Sequence, residues 1–152
     1  MVFFLRLRYY PSQKLAWKIT DFGLTALGET DVGVVTNHGR GTPMYSAPEL
    51  LLNDAIYNKK SDIWSVGCIL YEITTSKKAF SMISDVLDYY RSQQAFDVSR
   101  CWVGEFLTLE EDDRELVSET LHEMLHSDYK LRPVAASLKA TFEFQIHRST
   151  GL

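Results

Sequence analysis

The sequence predicts an α+β chain with a small N-terminal β-hairpin, a long irregular loop and a mostly α-helical second half. Three observations predict it. Two short apolar runs, Val2-Phe3-Phe4-Leu5 and Ala16-Trp17-Lys18-Ile19, flank the turn-forming stretch Pro11-Ser12-Gln13. Glycine and proline cluster between positions 23 and 48. From Ser61 onward, apolar residues recur at helical spacing.

The hairpin is placed over residues 2–19, with strands at the two apolar runs. The Gly- and Pro-rich stretch that follows reads as one irregular loop, and long loops inside globular domains often carry function. Ser61 is the expected cap of the first helix, with Asp62 in its first turn beside the positive helix end. Ile63, Val66, Leu70 and Ile73 form one apolar stripe on it, and Trp64, Cys68 and Tyr71 form another. A helix apolar on two faces is expected to be central and buried. Met82, Val86, Tyr89 and Tyr90 mark a shorter amphipathic helix. Leu116, Val117, Thr120, Leu121, Met124 and Leu125 give a third. Pro133 fits the first turn of a last helix that runs through Val134, Leu138 and Phe142.

Composition narrows the function classes. The chain has 152 residues, 45 % of them hydrophobic and 12 % aromatic, which is a globular composition. A net charge of −4 argues against a nucleic-acid binder. No apolar run approaches the roughly 20 residues that span a bilayer, so no membrane partner is expected. Cys68 and Cys101 offer neither a disulfide framework nor a metal spacing. With no secretory signal, the expected location is intracellular, cytoplasmic or nuclear. The first twenty residues carry Arg6, Arg8, Lys14 and Lys18 and no acid, but the apolar run precedes these bases, unlike a signal peptide. Residues 105–123 hold eight acids against the single base Arg114, the pattern of a solvated helix face.

Four motifs follow one another in order: Asp21-Phe22-Gly23, then Gly41-Thr42-Pro43-Met44-Tyr45-Ser46-Ala47-Pro48-Glu49, then Asp62-Ile63-Trp64-Ser65-Val66-Gly67, then Arg132-Pro133. Together they resemble the second half of a eukaryotic protein kinase domain over residues 2–142: the start and the Ala-Pro-Glu end of the activation segment, the large central helix, and the arginine before the last helix. The implied fold is protein-kinase-like, a helical C-lobe (residues 61–146) with a hairpin and an activation segment (residues 21–49), and without the N-lobe or catalytic loop.

The resemblance implies roles. The aspartate matching Asp21 ligates the magnesium that bridges the ATP phosphates, a hard cation suited to carboxylate oxygen, with Phe22 and Gly23 beside it. Glu49 and Arg132 resemble a buried structural ion pair. Thr42 resembles the threonine lining the substrate pocket of Ser/Thr kinases. Tyrosine kinases usually carry tryptophan where Tyr45 stands, so a Ser/Thr class is expected. Asp62 and Trp64 are structural residues of the central helix. Thr36, near Arg40, is the candidate regulatory phosphosite, to be weighed against an ordinary loop threonine.

Other family parts are missing. The sequence contains no Gly-x-Gly-x-x-Gly loop, no Val-Ala-Ile-Lys strand and no His-Arg-Asp loop. The 152 residues are therefore expected to be inactive alone, and no general base is assigned. Met1 stands about where the asparagine ending the catalytic loop would be, so an upstream piece is expected to be missing. The aspartate matching Asp62 normally accepts backbone N–H bonds from that loop; a buried carboxylate without donors should raise its pKa or draw in water. The expected partners are a protein substrate or the missing N-terminal half of a kinase domain; the expected cofactors of the intact domain are ATP and Mg²⁺.

Two alternatives stay open. The first is a non-catalytic kinase-like module that binds partners through the loop around Thr42 and the helix near Met82. The second is a zinc peptidase, since His122-Glu123-Met124-Leu125-His126 matches His-Glu-x-x-His.

Overall fold

A computed structural model describes residues 4–8, 16–20, 34–35, 41–52, 55–92, 94, 96, 102–104 and 108–150. Strands β1 (Phe4–Arg8) and β2 (Ala16–Thr20) pair antiparallel, with Leu5 opposite Ile19 and Leu7 opposite Trp17. The hairpin is therefore present, but β1 extends beyond Leu5 to Arg8. Leu5, Arg6, Leu7 and Arg8 alternate apolar and basic, which is the period of a strand. The long loop is not wholly irregular: β3 (Val34–Val35) pairs antiparallel with β4 (Ile56–Tyr57). Two-residue strands are too short to give a periodic signal.

Helix α1 (Lys59–Thr75) begins three residues earlier than Ser61 would place it. Its N-cap is Asn58, whose Oδ1 accepts from the N–H groups of Lys60 (2.7 Å) and Ser61 (3.2 Å). Ser61 Oγ accepts in return from the Asn58 N–H at 3.4 Å, closing a capping box with Ser61 as its inner member. The helix ends at Ser76, which takes the left-handed φ of 54° usually given to glycine.

Of the two apolar stripes on α1, Trp64, Cys68 and Tyr71 are buried, together with Ile63. Val66 and Ile73 remain 36 % and 37 % exposed, so α1 is buried on one side only. Gly67 lets α1 pack closely on the end of the third helix. A Cβ there would stand 3.0 Å from Leu125 Cδ2 and 3.1 Å from Met124 Cβ, tighter than side chains normally pack.

Helix α2 (Ile83–Ser92) buries Val86, and Asp85 Oδ2 accepts from the Ser81 and Met82 N–H groups at its start. Met82 precedes this helix and is 61 % exposed, so it does not contribute to the apolar face expected of it. Helix α3 (Glu111–Met124) buries Thr120, Leu121 and Met124, while Glu111, Asp112, Glu115, Glu119 and Glu123 face solvent as expected. Helix α4 (Ala135–Thr150) starts two residues after Pro133. Pro133 therefore stands outside its first turn, and Val134 O accepts the first helical bonds, from Ser137 and Leu138.

The core forms around Trp64. Its ring stacks on Phe80 at 5.4 Å and 9° and meets Tyr89 at 5.9 Å. Ala47, Cys68, Val86 and Leu125 complete this cluster. Tyr71 and Leu121 form a second cluster between α1 and α3. Burial pushes the Cys68 thiol far up, which keeps it protonated. Among the described residues, no helix is long and apolar enough to cross a membrane.

Candidate functional site

The stretch from Gly41 to Glu49 is tied down residue by residue. Gly41 has a φ of 85°, a geometry that side chains resist. Thr42 caps a short 3-10 turn, Pro43–Tyr45, and its carbonyl accepts from the Tyr45 N–H at 3.0 Å. A second 3-10 turn, Pro48–Leu50, follows the fully buried Ala47. Prolines at the first position of both turns favour this conformation, because their φ is already close to helical.

Two side chains of α1 hold the first turn. Ser65 Oγ donates to the Tyr45 carbonyl at 2.8 Å. Tyr45 Oη donates to Glu72 Oε2 at 2.6 Å. That bond, with desolvation and the Glu72 charge behind it, pushes the Tyr45 phenol up to about 12. Stability from a raised phenol pKa is fully present below the ordinary value of 10.0 and lost as pH rises toward about 12. Absorbance titration should therefore find Tyr45 ionising late, beside Tyr89, whose phenol burial also raises. Tyr45→Phe is expected to remove that late step, and Glu72→Gln to bring it back toward the ordinary range. A wild-type titration without a late phenol would refute the assignment.

The second turn is held by charge. Arg132 Nη1 and Nη2 donate to Glu49 Oε1 and Oε2 at 2.8 and 2.9 Å, a two-pronged pair across 83 positions. Arg132 is fully buried at the side chain, and Glu49 is 12 % exposed. The remaining donors of the guanidinium are also engaged, by the carbonyls of His126 (2.8 Å), Lys60 (3.1 Å) and Ser127 (3.4 Å). Ser61 Oγ adds a bond to Glu49 Oε1 at 2.9 Å. The guanidinium carbon also lies 4.9 Å from the Trp64 ring centroid.

Asp62 has a donor that sequence reading did not supply. Tyr57 Oη, from β4, donates to its Oδ1 at 2.6 Å. Burial raises the Asp62 carboxyl above the usual carboxylate range, and the Tyr57 bond works against that rise. A carboxyl pKa raised on folding adds stability that is fully present below the unfolded pKa and lost as pH rises through the folded one. Asp62→Asn keeps an acceptor for Tyr57 and removes the buried charge. It is expected to raise the melting temperature near pH 7, with the gain shrinking by about pH 4. Tyr57→Phe is expected to cost about 1 kcal/mol near pH 7. A pH-independent effect of Asp62→Asn would contradict this account.

Glu49, Arg132 and Trp64 thus meet in one cluster, with Tyr45 and Thr42 on the segment leading to it and Asp62 two residues before Trp64 on α1. Asp21, Phe22, Gly23 and Thr36 lie outside the described residues. His122 and Glu123 are exposed on α3, the two histidine rings stand 6.5 Å apart, and His126 Nδ1 accepts from the Asp128 N–H. Among the described residues, no three His, Cys, Asp or Glu side chains gather as a metal site. Sequence reasoning missed Ser65, Glu72 and Tyr57 as anchors. Their polarity was visible, but their partners were not.

The Gly41–Glu49 segment is thus held against a central helix by a buried Arg–Glu fork. Residues 10–142 match the family model described as the protein kinase domain, and the chain belongs to that family. It is 31 % identical over 116 residues to a probable serine/threonine-protein kinase nek2 of Dictyostelium discoideum, covering 76 % of this chain and 25 % of that protein. It is 45 % identical over 64 residues to a probable serine/threonine-protein kinase nek3 of the same organism, covering 42 % of this chain and 6 % of the relative. It is 49 % identical over 63 residues to serine/threonine-protein kinase Nek3 of Oryza sativa subsp. japonica, covering 41 % and 10 %. The chain thus spans a quarter or less of the length of these curated relatives. Protein kinases as a family use ATP and Mg²⁺.

Proposed function

We propose that the chain is the C-terminal half of a Ser/Thr protein kinase domain, comprising the activation segment and helical C-lobe. In the intact domain, the γ-phosphoryl group of ATP passes to a serine or threonine hydroxyl of a protein substrate. The observation that carries this proposal is the Arg132–Glu49 fork, which fixes the end of the Gly41–Glu49 stretch on the helical core. A stretch fixed in this way can present a rigid surface to a substrate, since ordering it costs nothing further at the moment of binding. Thr42 and Tyr45 are the residues we assign to that surface. Asp21 is assigned as the magnesium ligand, flanked by Phe22 and Gly23, and Thr36 as the phosphosite.

The 152 residues contain no phosphate-gripping lysine and no catalytic-loop aspartate, so by themselves they transfer no phosphoryl group. The purified chain with Mg-ATP and casein is expected to give no incorporation above the blank. Co-expression with a polypeptide carrying the Gly-rich loop, the lysine and a His-Arg-Asp loop is expected to give transfer to Ser and Thr that Asp21→Ala abolishes. Transfer by the chain alone, lost in Asp21→Ala, overturns the inactivity. A folded, associated pair that transfers nothing counts against the half-domain assignment.

A second proposal, a non-catalytic partner-binding module, has its own support. On the surface near Met82 where that module is expected to bind, Met82 and Ile83 are 61 % and 43 % exposed. A stable complex with one partner, in the absence of any phosphoryl transfer by the co-expressed pair, would favour it.

A further inference from the structure

At the start of α1 a pocket opens between its first turn and the connection leading to α4. Asn58, Lys59, Lys60, Tyr129, Lys130 and Val134 line it. The walls are chiefly hydrocarbon, from Tyr129, Val134 and the lysine stems. Leu131, 64 % exposed, and Val134, 49 % exposed, add apolar surface beside it. Three lysines are thus grouped on a chain whose net charge is −4.

Asn58 is only 8 % exposed, and its Nδ2 amide has no hydrogen-bond partner. Its Oδ1 already serves the N–H groups of Lys60 and Ser61. The amide is therefore a buried donor still in want of an acceptor. Lys60 Nζ donates to the Arg132 carbonyl, and Lys130 Nζ lies 6.0 Å from the Tyr129 ring centroid. Asp128, the acid of this connection, accepts the Lys130 N–H at 3.0 Å.

We propose that this pocket docks an acidic peptide segment of a partner protein, with an apolar side chain next to its carboxylates. The carboxylates are drawn by the lysines, and the apolar side chain covers Tyr129 and Val134. A free phosphate would leave the hydrocarbon wall unused. The site is independent of phosphoryl transfer and distinct from the Gly41–Glu49 surface.

The test uses the full 152-residue chain and a fluorescein-labelled peptide, Glu-Asp-Leu-Phe-Glu-Glu, followed by fluorescence polarisation. Saturable binding is expected, about ten-fold stronger than for Gln-Asn-Leu-Phe-Gln-Gln, and weakened between about 0.1 and about 0.5 M NaCl. Lys59→Glu with Lys130→Glu, both at exposed positions, is expected to weaken binding about ten-fold and to create a preference for a Lys-Lys-Leu-Phe-Lys-Lys peptide. That reversal of preference would show that the variant is folded. Absence of saturable binding, equal binding of the amide peptide, or indifference to charge reversal overturns the proposal. Lysine-dependent binding to phosphatidylserine vesicles without peptide binding also overturns it, in favour of a membrane surface.

Discussion

Arg132→Met is expected to lose about 3–5 kcal/mol of folding stability, the cost of leaving a buried charge without its partner. Glu49 would keep only the Ser61 hydroxyl, and the carbonyls of His126, Lys60 and Ser127 would lose their shared donor. For a chain with the usual stability of about 5–15 kcal/mol, such a loss removes a large part of the whole. Arg132→Lys should recover little, because an ammonium has three donors in place of a planar fork that reaches five acceptor contacts here. Arg132→Met combined with Glu49→Leu should cost less than the sum of the two single changes, since neither charge is then stranded. Urea unfolding of the wild type, the three single variants and the double variant measures this. A loss under about 1 kcal/mol for Arg132→Met would mean that water reaches Glu49 and the pair is effectively a surface one.

Trp64→Ala is expected to cost about 3–5 kcal/mol through lost burial and the cavity left behind. Trp64 is fully buried and serves three partners: Phe80 stacked on one face, Tyr89 tilted against it, and the Arg132 guanidinium 4.9 Å from its centroid. Removing it therefore also weakens the setting of the Arg132–Glu49 pair. Trp64→Phe should be much milder. It keeps an aromatic ring for Phe80, and it removes an indole N–H that has no hydrogen-bond partner where it is buried. The comparison is read from denaturation midpoints, with near-ultraviolet circular dichroism reporting the ring packing. Equal losses for alanine and phenylalanine would mean that the indole N–H is satisfied and that the stacked geometry matters little.

Local signals in the chain were informative where one element carried them whole. The stripe from Leu116 to Leu125 marked α3 and its buried side, and the acids between 105 and 123 marked its wet side. The hairpin is legible from its two apolar runs, and the alternation of Leu5, Arg6, Leu7 and Arg8 carries β1 on to Arg8. The start of α1 is not legible locally: Ser61 and Asn58 are both good capping residues, and only the reciprocal bonds between them decide which lies outside the helix. The two stripes on α1 were both visible as apolar. Nothing local says which one the chain covers, and Trp64 was covered while Val66 was left partly open.

The sequence by itself determined the helical second half, the hairpin, the order of the four motifs and, through that order, the protein kinase family to which the chain belongs. The helices and the hairpin follow from period within one element, and the family follows from the resemblance that the four motifs carry. Tertiary structure alone decided that Tyr57 serves Asp62, that Glu72 holds Tyr45, and that one guanidinium joins Glu49 to three carbonyls. Partners such as Glu49 and Arg132 lie 83 positions apart, and their meeting depends on how α1 and its neighbours pack. Period and propensity carry no information about that packing. They say that a side chain is polar or apolar, and only the folded chain says what it touches.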